Sequence, residues 1–192
     1  AKIDGKWKNA DIKHLNITGW RTSSDYHIKI YTTPEARHKG VWDNSKYRLE
    51  VSYGSPITVE EPYVRIEGIQ IYLNHNESES AGIMLNVSEY SDTRISHNLI
   101  KGTGKSMGKG SAGVASFTNT GYSSVYKLFN NIIYDFSSGE SVSGVKTQFG
   151  TWYIYNNTFY NNTYAIYNPI SDNDKVNVKN NLAQKCKDCF VG

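Results

Sequence analysis

The second half of the chain repeats one pattern of apolar and polar positions. Arg94-Ile95-Ser96-His97-Asn98-Leu99-Ile100, Lys127-Leu128-Phe129-Asn130-Asn131-Ile132-Ile133, Tyr153-Ile154-Tyr155-Asn156-Asn157-Thr158-Phe159 and Asn177-Val178-Lys179-Asn180-Asn181-Leu182-Ala183 align without gaps. Arg65-Ile66-Glu67-Gly68-Ile69-Gln70-Ile71 fits the same template, with Ile69 in the last Asn position. The anchors Ile66, Ile95, Leu128, Ile154 and Val178 recur at intervals of 24 to 33 residues. Alternation within each unit predicts a half-buried strand on either side of a tight Asn-containing bend. Between the units lies another short apolar strand after a small residue: Gly82-Ile83-Met84-Leu85, Gly113-Val114-Ala115-Ser116, Gly144-Val145-Lys146-Thr147 and Ala165-Ile166-Tyr167-Asn168. Each repeat thus reads as strand, loop, strand, bend, strand. A unit this small cannot bury its own apolar face, so the repeats must stack.

Stacking at strand spacing, about 4.8 Å, would align Asn98, Asn131, Asn157 and Asn181 in one column. Each amide could then donate to one neighbour and accept from the other, satisfying buried polar groups. The Ile/Leu-x-Asn-Asn-x-Ile/Phe units and Gly-Ile/Val strands resemble the right-handed parallel β-helix repeat of the pectate-lyase-like superfamily, over roughly Ile57 to Ala183. That resemblance implies an all-β solenoid with an Asn ladder. The same repeat serves lyases, hydrolases, epimerases, adhesins and phage spikes, so it does not select an activity.

The first part of the chain is less regular. Tyr26 to Tyr31 and Tyr47 to Val51 alternate like strands, with a polar loop from Thr33 to Gly40 between them. Residues 1–56 are expected to form an N-terminal cap and a first irregular coil, with Ala1 to Trp20 covering the stack. Residues 57–192 are expected to form the coils, with a C-terminal end that reads as uncapped or truncated.

Composition narrows the class. The 192 residues include 15 Tyr, 4 Trp and 16 Gly but only 2 Cys and 2 Met, as suits strands and turns. No apolar run approaches the roughly 20 residues of a membrane-spanning helix. A net charge of +3 without a clustered basic run gives no indication of a nucleic-acid protein. Cys186-x-x-Cys189 lacks two further ligands for zinc, and His14, His27, His75 and His97 show no metal-ligand spacing. No metal or cofactor is expected. Asn16, Asn76, Asn86, Asn156 and Asn161 begin glycosylation sequons, which an Asn- and Thr-rich chain generates by chance.

Strand alternation assigns outward columns. The Gly-Ile/Val strands present Met84, Ala115, Lys146 and Tyr167, without the paired carboxylates of glycoside hydrolysis or the acidic ligands of Ca²⁺. The strands before the bends present Arg65, Arg94, Lys127, Tyr153 and Asn177, then Glu67, Ser96, Phe129, Tyr155 and Lys179. Arg65, Arg94, Lys127, Tyr153, Tyr155, Lys146 and Tyr167 are therefore the candidate carbohydrate contacts, offering rings to sugars and cations to acidic groups. The strands after the bends present Gln70, Leu99, Ile132, Thr158 and Leu182. An apolar column there calls for cover by a long loop, a missing segment or a partner.

The expected function is a secreted or cell-surface β-helix that binds polysaccharide, including acidic glycans, or serves as a structural unit. One alternative is a polysaccharide lyase using Arg37, His38 and Arg48 as base and enolate-stabilising cations. Another is a fibre or spike component that self-associates through its C-terminal end or through the Leu99/Ile132/Leu182 face.

Overall fold

The computed structural model describes residues 1–88, 90–117, 123–169 and 175–191. Gly192, at the expected open end, lies outside them. The strands in chain order begin with β1 (Lys2–Ile3), β2 (Leu15–Ile17), β3 (Ile28–Thr32), β4 (Arg48–Val51), β5 (Ile57–Val59), β6 (Val64–Glu67) and β7 (Gln70–Leu73). They continue with β8 (Ala81–Leu85), β9 (Asp92–Ser96), β10 (Leu99–Lys101), β11 (Ala112–Ser116), β12 (Val125–Phe129), β13 (Ile132–Tyr134) and β14 (Ser143–Lys146). The last are β15 (Thr151–Tyr155), β16 (Thr158–Tyr160), β17 (Tyr164–Tyr167), β18 (Lys175–Lys179), β19 (Leu182–Gln184) and β20 (Asp188–Val191). No helix occurs among the described residues.

These strands form three parallel sheets. Sheet A has the order β1-β3-β6-β9-β12-β15-β18, sheet B β4-β7-β10-β13-β16-β19, and sheet C β2-β5-β8-β11-β14-β17-β20. From β5 onward the chain visits C, A and B in rotation, an arrangement compatible with a parallel β-solenoid. The register follows the sequence repeat. Ile66, Ile95, Leu128, Ile154 and Val178 pair in series on sheet A, as do Ile83, Val114, Val145 and Ile166 on sheet C. The core lies between the sheets and holds these columns, apart from the exposed Val178 at the end of sheet A, together with Leu49, Ile71, Ile100, Ile133 and Phe159 from sheet B.

The bends between sheets A and B separate two roles within each Asn pair. The first position has left-handed φ: 77° at Gly68, 56° at His97, 57° at Asn130, 56° at Asn156 and 53° at Asn180. Gly and Asn visit that region at low cost. The second position makes the side-chain bonds. Asn98 Nδ2 donates to Asn131 Oδ1 at 3.1 Å, Asn131 to Asn157 at 3.0 Å and Asn157 to Asn181 at 3.0 Å. Each Nδ2 also donates to a carbonyl of the preceding coil, those of Ile66, Ile95, Leu128 and Ile154.

A glycine in each of the sheet C strands β8, β11 and β14 is required by close approach. A Cβ on Gly113 would stand 2.5 Å from Ile133 Cγ2 and 2.6 Å from the Gly144 carbonyl oxygen. The same crowding at Gly82 and Gly144 involves Ile100 and Phe159.

Residues 1–17 add to every sheet: β1 pairs with β3, Asp11 bridges Leu49, and β2 pairs with β5. The loop 33–47 lies over the outer face of sheet B. Gln70 anchors it, accepting from the Asp43 N–H at 2.7 Å and donating to the carbonyls of Asp43 and Tyr47 at 2.9 and 3.1 Å. A Cβ at Gly40 would stand 3.9 Å from Ile132 Cδ1. Among the three covers expected for the apolar column, the chain's own loop is thus in place, and Leu99 is buried. That corrects the expectation of one continuous Leu99/Ile132/Leu182 association face. Ile132 stays partly exposed and Leu182, at 62% exposure, open.

Candidate functional site

Three outward columns of sheet A meet at one groove. Register places Arg65, Arg94, Lys127, Tyr153 and Asn177 in one row across successive strands. Ser96, Phe129, Tyr155 and Lys179 form the row beside it, nearer the bend. Asp92, two residues before Arg94, faces the same way by strand alternation. A cavity of about 480 Å³ opens here, lined by Arg94, Lys127, Phe129, Tyr153, Tyr155 and Asn156. The rings of Tyr153 and Tyr155 meet edge to face, with centroids 6.0 Å apart and planes at 71°.

One carboxylate sets the electrostatics of the groove. Asp92 accepts from Arg94 Nε at 3.1 Å and Nη2 at 2.6 Å, and its other contact is Lys127 Nζ at 3.0 Å. The Arg94 hydrogen bond holds Asp92 below the usual carboxylate range; burial opposes this and the Lys127 bond reinforces it. The clamp fixes both cations, and among the described residues none takes a hydrogen bond from Arg94 Nη1, which can serve a ligand. On the neighbouring strands, Glu67 contacts Lys29 at 2.9 Å and Arg37 at 2.8 Å. Burial raises the Glu67 pKa, but the bonds from Lys29 and Arg37 outweigh it and the net displacement is downward. Arg65 forms no ion pair among the described residues. His27, within reach of its charge, is pushed down by burial and then by the charges of Arg65, Arg94 and Lys29. That imidazole is therefore neutral at pH 7.

These displacements predict an acid response. A carboxylate with a depressed folded pKa stabilises the fold above its unfolded pKa, about 4, and loses that contribution as pH falls through the folded value. Thermal midpoints measured by circular dichroism should accordingly be insensitive to these pairs between about pH 5 and 8 and decline below about pH 4. In the double variant Asp92→Asn, Glu67→Gln that decline should be shallower. An unchanged acid slope would show that the two carboxylates are not the groups responsible.

Of the residues predicted to contact carbohydrate, Arg65, Arg94, Lys127, Tyr153 and Tyr155 share this face. Lys146 and Tyr167 do not. They are neighbours on sheet C, where Lys146 Nζ stands 4.4 Å over the Phe117 ring and burial lowers its pKa. Tyr167 there stacks on Tyr164 with centroids 5.0 Å apart. Phe129 and Asn156 complete the groove. Phe129 was legible as an outward residue, whereas Asn156 read as a bend residue and the start of a sequon.

Arg37, His38 and Arg48 do not converge on the groove. Arg37 Nη2 donates to Glu67 Oε1 at 2.8 Å and to the Thr32 carbonyl at 3.1 Å, and Nε donates to Thr32 Oγ1 at 3.2 Å. His38 Nδ1 accepts from the Gly40 N–H at 3.1 Å, which places the ring proton on Nε2, 2.9 Å from the His97 carbonyl. Burial holds this imidazole below its usual range, consistent with the neutral form. Arg48 donates to Glu50 at 2.8 Å and to the carbonyls of Asn44 and Lys8 at 2.5 and 3.4 Å. Their donors tie the loop 33–47 to the sheets. Among the described residues no group of three His, Cys, Asp or Glu side chains is arranged to hold a metal, and Cys186 and Cys189 are free thiols.

No protein family, curated protein or solved structure was found to match this chain, so the functional reading rests on its own residues.

Proposed function

We propose that this protein is a right-handed parallel β-helix of the pectate-lyase-like kind, secreted or displayed at a cell surface, which binds acidic polysaccharide on sheet A. The observation that carries the reading is the groove in which Arg94 and Lys127, clamped by Asp92, stand beside Phe129, Tyr153 and Tyr155. Rings offer flat apolar surface to the C–H faces of pyranose sugars. A guanidinium with free donors and an adjacent ammonium suit a uronate carboxylate or a sulfate. The handedness is supported by the strong right-handed preference of parallel crossovers, and the ladder by the continuous run of amide bonds through Asn98, Asn131, Asn157 and Asn181.

A glycan suits the face better than a nucleic acid. Asp92 and Glu67 offset much of the positive charge of the cations they touch. A nucleic-acid backbone draws its affinity from many unneutralised phosphate contacts. An acidic sugar polymer, with part of its affinity from ring packing, needs fewer.

The test is calorimetric titration with uronic-acid oligosaccharides, neutral oligosaccharides of equal length and a single-stranded oligonucleotide. Acidic oligosaccharide should bind in a salt-sensitive manner and the neutral one far more weakly. Tyr155→Ala and Lys127→Ala should each weaken binding roughly tenfold, about 1.4 kcal/mol, with a native circular-dichroism spectrum and cooperative unfolding retained. Equal binding of neutral sugars, or preference for the oligonucleotide, would refute the proposal. Absorbance of unsaturated products on incubation would replace it with lyase chemistry, to be checked in Arg37→Ala, His38→Ala and Arg48→Ala.

A further inference from the structure

A second aromatic patch stands at the other end of sheet A. Trp20 and Tyr26 are 69% and 78% exposed and, with Arg21, Asp25 and His27, line a cavity of about 380 Å³. Their exposure does not come from a loose segment. The Trp20 N–H donates to Glu61 Oε1 at 2.7 Å, the Tyr63 N–H to Thr22 Oγ1 at 3.4 Å, and the Ile28 N–H to the Tyr63 carbonyl at 3.0 Å. The backbone carrying both rings is thus tied at several points to the start of β6 and the segment before it. Large rings held in water by an ordered backbone are pre-organised for a ligand.

Between this patch and the groove runs a row of cations. Lys29 pairs in register with Arg65, Arg65 with Arg94, Arg94 with Lys127, and Lys127 with Tyr153. From β3, which follows Tyr26 directly, to β15 is four strand steps, about 19 Å at ~4.8 Å per step. The strand step is close to the length of one pyranose residue in an extended chain. A glycan lying across the strands would therefore meet one basic side chain per sugar, with an aromatic patch at each end. Arg65, second in the row beside Lys29, is the cation of this row that has no ion pair among the described residues.

We infer that the two cavities and the intervening cations form one extended site, which holds an acidic glycan of about five residues perpendicular to the strands, from Trp20 and Tyr26 to Tyr153. This rests on the acidic-polysaccharide reading and adds direction, length and a second anchor to it.

The experiment is titration of the intact protein with oligogalacturonate disaccharide, tetrasaccharide and hexasaccharide. Affinity should rise with length and level off between tetrasaccharide and hexasaccharide. Trp20→Ala and Arg65→Ala should lower hexasaccharide affinity roughly fivefold to tenfold and leave disaccharide affinity unchanged. Tyr155→Ala should weaken both. Both substituted side chains in the first pair are outside the core, and matching unfolding midpoints would verify intact folding. Hexasaccharide binding no tighter than disaccharide binding, or equal effects of Trp20→Ala on both lengths, would overturn the extended site while leaving the groove intact. Absence of binding at every length would instead overturn the underlying polysaccharide reading, and the extended site with it.

Discussion

Trp152→Ala is expected to remove about 3–5 kcal/mol of folding stability, the range for truncating a fully buried large aromatic. The indole lies inside the stack, is completely buried, and packs against the Tyr126 ring with centroids 4.6 Å apart. Its Nε1 donates to the Phe149 carbonyl at 3.0 Å. Alanine would open a cavity under Tyr126 and remove that hydrogen bond. Against the ~5–15 kcal/mol that holds a typical domain together, the loss approaches the whole margin. Trp152→Phe provides the readable companion: it keeps most of the packing and forfeits the hydrogen bond, so its cost should be clearly smaller. Guanidinium denaturation followed by circular dichroism measures both. A Trp152→Ala midpoint near wild type would show that sheet A does not enclose this side chain.

Asn131→Leu should be the next most damaging change, on the order of 3 kcal/mol. Asn131 Oδ1 accepts from Asn98 N at 3.0 Å and Asn98 Nδ2 at 3.1 Å, while its Nδ2 serves the Ile95 carbonyl at 2.9 Å and Asn157 Oδ1 at 3.0 Å. Leucine matches the volume but leaves the buried Asn98 N–H without its acceptor and removes one bond each from Asn98 Nδ2, the Ile95 carbonyl and Asn157 Oδ1. The cost is about 1–3 kcal/mol for an unsatisfied buried group and less for each bond lost from a group that keeps another. The preceding residue is the control. Asn130 is exposed at φ 57°, and its role in the bend is to tolerate that backbone conformation. Asn130→Gly should therefore change stability by less than about 0.5 kcal/mol. Denaturation of the two variants side by side separates the roles of the pair: equal effects would mean that side-chain stacking does not distinguish the two positions.

The repeat was legible because two local rules coincide in it. Strand alternation puts Ile95, Leu128 and Ile154 inward, and a bend of constant length fixes the strand that follows, so one alignment sets the register of two sheets. The observed pairings reproduce that alignment residue for residue on both sides of the bend. The left-handed requirement at the first bend position was less visible. His97 and Gly68 stand there in place of Asn, and only backbone geometry shows what the three residue types have in common.

The site was legible in part for the same reason. Outward parity alone brings Arg94, Lys127, Tyr153 and Tyr155 to one face. The repeat also put Lys146 and Tyr167 on a different strand from the others, and they stand on sheet C; what it does not say is whether two outward faces meet at one site. Nor does it reveal the Asp92 clamp, since a carboxylate two residues from an arginine is as often solvated as paired.

What the sequence determined by itself is the strand repeat, its register and the outward direction of the basic and aromatic residues, all of which follow from spacings of a few residues along one chain. Tertiary structure alone decided which outward surfaces remain open. The Gln70 amide holds the loop 33–47 over Leu99, and the backbone bond to Glu61 holds Trp20 out in water. Both contacts join residues at least 27 positions apart. No local pattern encodes such a meeting, because the folding of the intervening segments sets where the two partners lie.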